Sequence, residues 1–158
     1  MRQRITLALL VLLTTAAAAA RDYDFRLFTY DEVNHLRQSS LLERMKIFGK
    51  VLDRYGSDLQ HAVQMRNYQR MASLADNLDQ VLDYVLEDVR LCTQDEKLRN
   101  NKHLRKSEIG LREMATLLRG LQRAVPSAWQ GKIDAPMRKL IYGRRQLFNF
   151  INRVNEEE

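Results

Sequence analysis

The chain has 158 residues, 45% of them hydrophobic, and a formal net charge of +6. That length suits one domain with a modest core. Its single cysteine excludes an internal disulfide, and the mild basic balance argues against a dedicated nucleic-acid binder.

The chain opens with Met1-Arg2-Gln3-Arg4, a short basic stretch, followed by an almost uninterrupted apolar run from Ile5 to Leu13. Alanines 16–20 then present an A-x-A pattern before Arg21. This order is that of a cleaved secretory signal, and the apolar run is short for a membrane span. The expectation is a soluble mature protein, secreted or periplasmic, beginning near Ala20–Arg21. No cysteine lies near the cleavage point to carry a lipid. Loss of Arg2 and Arg4 leaves a net charge of about +4.

Residues 21–40 read as an amino-terminal arm and a short helix. Tyr23, Phe25, Phe28 and Tyr30 crowd into one short stretch, and the alternation of Tyr23, Phe25 and Leu27 favours an extended arm. It is expected to lie across the helices as a strap, since so large an exposed aromatic cluster is a liability. The alternative is a surface offered to a partner through Tyr23, Phe25, Phe28 and Tyr30. Thr29 and Glu32 match a capping box, with Val33 and Leu36 facing inward.

Residues 41–155 read as the helical domain. Leu41, Met45, Phe48, Leu52, Tyr55, Leu59 and Ala62 step by fours and threes, the spacing of one helical face. Ser40 and Glu43 form a second capping box at its start. Met71, Leu74, Leu78, Val81, Val85, Val89 and Cys92 form a second series out of phase with the first, so a turn is expected near Arg66–Asn67. Gly49 and Gly56 sit inside the first helix, and close packing of a neighbouring backbone is the expected reason, with an opened groove as the alternative. The second helix has an acidic outer face of Asp76, Asp79, Asp83, Glu87 and Asp88, expected to be solvated or paired with basic helices of the same chain. Cys92 is expected to be a buried small hydrophobe.

Thr93 to His103 is the connection, with a further capping-box pattern at Thr93–Glu96 and a turn signal at Asn100-Asn101. The third helix carries Leu104, Leu111, Met114, Leu118, Leu121 and Val125 inward and Lys102, Arg105, Lys106, Arg112, Arg119 and Arg123 outward, and ends at Pro126. Trp129, in a loop, is expected to cap the core with its N–H on a carbonyl. Asp134 and Pro136 mark the start of the fourth helix, whose apolar face is Met137, Leu140, Ile141, Leu147, Phe148, Ile151 and Val154. Three terminal glutamates should fray its end.

The expected fold is thus all-α: an antiparallel four-helix bundle of two helical hairpins on an up-down-up-down path, after a cleaved signal peptide and an aromatic arm. No catalytic or metal-binding pattern accompanies it. There is no H-E-x-x-H, C-x-x-C-H, Glu-x-x-His, G-x-S-x-G or phosphate-binding glycine loop. The expectation is a non-enzymatic protein without cofactor or metal. A noncovalent haem between Met45 and His103 is the weakest alternative. The favoured function is a protein–protein interaction module of the periplasm or envelope, with another exported protein or a second copy as partner and no nucleic acid. The alternative is a binder of anionic membrane or acidic polymer through the third and fourth helices, with Arg138, Lys139, Arg144 and Arg145 as contacts.

Overall fold

The computed structural model describes residues 21–152; the expected signal segment, Val154 and the terminal glutamates lie outside the described residues. Among the described residues six α-helices follow in chain order: α1 (Tyr30–Gln38), α2 (Leu41–Gln64), α3 (Tyr68–Thr93), α4 (Lys102–Ala124), α5 (Ser127–Gln130) and α6 (Asp134–Asn152). Single 3₁₀ turns cover Glu96–Leu98 and Gly131–Ile133. No strand occurs among the described residues.

Local chemistry sets the helix ends. The Thr29 hydroxyl accepts from the Glu32 N–H at 3.2 Å and the Glu32 carboxylate accepts from the Thr29 N–H at 2.8 Å, closing the capping box of α1. At α2 the Glu43 carboxylate accepts from both the N–H and the hydroxyl of Ser40, at 3.0 and 3.1 Å. The α2–α3 turn falls where the two apolar series lose phase. Asn67 N–H reaches back to the Ala62 carbonyl at 2.8 Å and Arg66 N–H to Val63 at 2.9 Å, a Schellman closure. Arg66 takes the left-handed position at φ 54°, which glycine usually fills. In the α3–α4 connection the capping residue is Asp95, bonded to Lys97 N–H, whereas Thr93 still belongs to α3. Asn101 caps α4 through His103 N–H at 2.8 Å.

Five of the helices pack together, the four long ones around one core with α1 against α2. Helix α2 lies beside α3 and α4, and α6 beside the same two, so α3 and α4 face each other across the core. The chain direction alternates, as short connections require, but the α3–α4 connection crosses the diagonal. The hairpins α2–α3 and α4–α6 are antiparallel. They meet through two parallel seams, α2 against α4 and α3 against α6. In the first, Gly56 faces Met114 and Leu117. In the second, Asp79 and Asp83 meet Lys139, and Leu86 meets Gly143.

The core holds Phe48, Tyr55, Leu59, Leu78, Leu82, Leu118 and Leu147, all essentially inaccessible to water, and hydrophobic transfer of such side chains dominates folding at about 25 cal/mol per Å² buried. The last helix departs from its expected face. Pro136, Leu140, Gly143 and Leu147 point inward, while Ile141 and Phe148 are 42% and 43% exposed. Both follow an inward residue by one position, a rotation of about 100°. Asp134 is within the helix rather than an extended cap; its carboxylate accepts from the Gln122 amide at 2.5 Å and ties α6 to α4. Trp129 is half-buried beside Tyr68, with ring centroids 6.2 Å apart.

The amino-terminal arm is a turn rather than an extended segment. The Asp24 carbonyl accepts from Leu27 and Phe28 N–H at 2.9 and 3.2 Å. Tyr23, Leu27 and Phe28 are buried, with Tyr23 and Phe28 both within 5.4 Å of the Tyr84 ring centroid. Tyr55 Oη donates to the Leu27 carbonyl at 2.9 Å and Tyr84 Oη to that of Asp22 at 3.2 Å. The arm is therefore a strap in its inner half.

Candidate functional site

The two sets of binding residues expected from sequence are divided by packing. Of the aromatic set, Tyr23 and Phe28 are buried and have no surface to offer. Phe25 and Tyr30 are 55% and 69% exposed, stacked with centroids 6.2 Å apart, and the Arg37 guanidinium lies 5.8 Å from the Phe25 centroid. Of the basic set, Lys139 is held between Asp79 and Asp83 at 3.0 and 2.7 Å. Burial pulls its ammonium down, but hydrogen bonds to Asp83 and Asp79 outweigh it and raise its proton affinity above the ordinary lysine value. Arg144 Nε donates to Glu108 at 2.9 Å. Lys139 and Arg144 thus serve the fold, because they sit at seams where a carboxylate faces them. Arg138 and Arg145 remain on the surface.

The acidic face of α3 is used as expected at Asp79 and Asp83, but Asp88 is not on it. Asp88 is fully buried, gripped by Arg44 at 2.8 and 3.0 Å and by Arg21 at 2.9 Å. The hydrogen bonds to Asp88 raise the Arg44 proton affinity further. A carboxylate in the interior is retained only when paired in this way. The signal was present in the chain: Asp88 falls on the line Val81, Val85, Cys92, and Arg44 on the line Leu41, Phe48. Cys92 beside this cluster is buried, and burial pushes its thiol up to about 12, far from reactive thiolate.

Two features remain open to ligands. The first is a cleft of about 320 Å³ between α2 and α4, at the small end of the range for ligand pockets. Met45, Phe48, Leu52, Val85 and Leu111 contribute its apolar lining, and Lys46, Lys50, Asp53, His103, Lys106 and Glu113 its charged and titratable groups. Gly49 and Gly110 open it: a Cβ on either would meet no atom within 4 Å. Gly49 therefore makes a groove, not the close packing expected; Gly56, with Met114 Sδ 3.4 Å from its Cβ position, does pack closely. Met45 and His103 come together on this cleft. Ser107 does too, but its hydroxyl donates to the His103 carbonyl at 3.0 Å and leaves the imidazole alone.

The second feature is the outer face of α4 and α6. Arg105, Arg112 and Arg119 form a row at seven-residue spacing on α4, continued by Arg123; Arg138 and Arg145 form another on α6. The α4 arginines make no ion pair among the described residues. Ile109, Ile141 and Phe148, each about two-fifths exposed, lie on the same two helices, and a shallow groove gathers Arg105, Ile109, Arg112 and Phe148.

No helix among the described residues is long and apolar enough to cross a membrane, and no group of three metal-ligating side chains converges there. The chain matches no protein-family model, no curated protein and no solved structure.

Proposed function

We propose that the chain is an exported, non-enzymatic four-helix-bundle protein, released by cleavage near Ala20–Arg21, that docks its α4–α6 face on an anionic surface of the cell envelope. One observation carries this reading. The arginine rows of α4 and α6 surround side chains of Ile109, Ile141 and Phe148 that the fold leaves exposed. Guanidinium groups hold anionic oxygens bidentately and are less strongly hydrated than ammonium groups. Apolar groups between them gain by entering the headgroup region, as in helices that lie in a membrane interface. Arg105, Arg112, Arg119 and Arg123 of α4 make no ion pair with a described residue, whereas Lys139, facing α3, is already neutralised by Asp79 and Asp83.

Sedimentation with anionic and neutral vesicles tests the idea. The mature protein should pellet with anionic vesicles at low salt and release at high salt. Each basic residue near such a surface contributes about 1 kcal/mol, so Arg112→Glu with Arg119→Glu should weaken binding by well over tenfold. Equal binding to neutral vesicles, or none to anionic ones, would sink the proposal.

A second reading rests on a different patch. Phe25, Tyr30 and Arg37 form an exposed stacked cluster on the strap, of the composition enriched where proteins meet. Cross-linking from a photoreactive group at residue 25 to an exported partner, lost on Tyr30→Ala, is the outcome this reading requires.

A further inference from the structure

The residues that follow the expected cleavage point are built into the fold one after another. Arg21 Nη1 donates to the buried Asp88 at 2.9 Å, and Arg21 Nη2 lies 3.8 Å from Glu87. The Asp22 carbonyl accepts from Tyr84 Oη at 3.2 Å. Tyr23 is 3% exposed, with its ring centroid 5.3 Å from that of Tyr84. The surface that receives them is complete without them. Arg44 on α2 already holds both carboxylate oxygens of Asp88 on α3, at 2.8 and 3.0 Å. The α2–α3 hairpin therefore supplies a finished ion pair, to which Arg21 adds a third member. Residues 21–23 close onto a preformed socket, and chain ends of this kind open more readily than the core beneath them.

We propose that cleavage between Ala20 and Arg21 precedes closure of this strap, and that closure then shields the new terminus as the last step of maturation. The ordering rests on the export reading above. Water adds across the Ala20–Arg21 amide, leaving a carboxylate on Ala20 and an amine on Arg21. A protease holds the chain around such a bond in extended form, through main-chain hydrogen bonds and pockets for side chains. In the closed strap the Arg21 guanidinium, the Asp22 carbonyl and the Tyr23 ring are already engaged. The Asp24 carbonyl then bends the chain by accepting from Leu27 and Phe28 N–H. Nothing directly after the scissile bond is left for the enzyme to grip. Cleavage of a folded precursor runs only through the open strap, at a rate set by how often the strap opens. A chain that closes its strap early keeps its signal segment.

The test loosens the socket and leaves the cleaved sequence untouched. The folded full chain of 158 residues is incubated with signal peptidase in detergent micelles and, separately, with trypsin, whose cut after Arg21 needs that guanidinium free. Tyr84→Ala removes the ring beneath Tyr23 and Phe28 together with the donor to Asp22; Tyr84→Phe removes only the donor. A peptide of residues 1–30, with the same bond and no bundle, is the control and should be cut fastest. Signal peptidase should cut Tyr84→Ala at least tenfold faster than the parent. Tyr84→Phe should be cut roughly fivefold faster, the factor for one lost hydrogen bond. Trypsin should cut after Arg21 in the same order. Both variants should keep a cooperative melting transition; where Tyr84→Ala loses it, Tyr84→Phe carries the comparison. Equal rates of signal-peptidase cleavage in the folded chains, with the control peptide cut, overturn the ordering while the export reading stands. A control peptide that signal peptidase leaves whole overturns the export reading, and the ordering with it.

Discussion

The two parallel seams that join the hairpins solve the same packing problem in opposite ways. At α3–α6 the helices close. A Cβ on Gly143 would lie 2.7 Å from Leu86 Cδ2, and Lys139 neutralises Asp79 and Asp83 across the joint. At α2–α4 the lower half closes around Gly56 and Met114, while the upper half stays open at Gly49 and Gly110 with its charges unpaired. Glycine alone therefore says little about function. On one seam it lets neighbouring helices touch, and on the other it leaves room for something else.

Substitutions can separate the two seams. The largest effect should come from charge on α3. Asp88→Ala leaves Arg44 and Arg21 without their buried partner and should cost about 3–5 kcal/mol, whereas Asp53→Ala on the open seam should barely move the denaturation midpoint. Chemical denaturation of both variants makes the comparison; equal losses would contradict it. Next in size, Gly143→Val should destabilise by about 1–3 kcal/mol through overpacking against Leu86. Gly49→Ala should instead stabilise, by up to about 1 kcal/mol, since the helix gains propensity and nothing is displaced. If both substitutions destabilise alike, the seams do not differ as described.

Lys139→Gln should cost about 1 kcal/mol or less, because the ion pair is half-exposed and screened, and the loss should shrink as salt rises. The smallest effect concerns pH. His103 holds its proton less tightly in the folded protein than at its ordinary value near 6.5. The unfolded chain thus binds more protons between the two values, and this contribution to stability is lost as pH falls through that window. An NMR titration of the imidazole should show the low value, and Lys46→Ala with Lys106→Ala should move it upward. An unchanged titration would show that these ammonium groups do not reach the ring.

Much of this architecture was legible from spacing. The apolar series of α2 and α3, the break near Arg66, the Ser40 and Thr29 caps and the burial of Cys92 all follow from helical periodicity and from backbone groups that need partners. Legibility was weaker where one residue type serves two purposes. Asp88 belongs to an acidic run, so it reads as solvent-facing until Arg44 and Arg21 are placed against it. Lys139 and Arg144 read as free cations for the same reason. Ile141 and Phe148 read as core because a series of apolar residues does not show how wide the buried face is.

What the chain determined by itself is local: where helices start and stop, which residues share a face, and that four long helices can cover one core. Tertiary structure alone decided which helices became neighbours. Charge and glycine have no meaning along one helix until a second helix is brought to within a few ångströms. The diagonal α3–α4 connection set α2 beside α4 and α3 beside α6. That choice turned one glycine pair into a cleft, made Gly143 a point of contact, and left the arginines of α4 facing water.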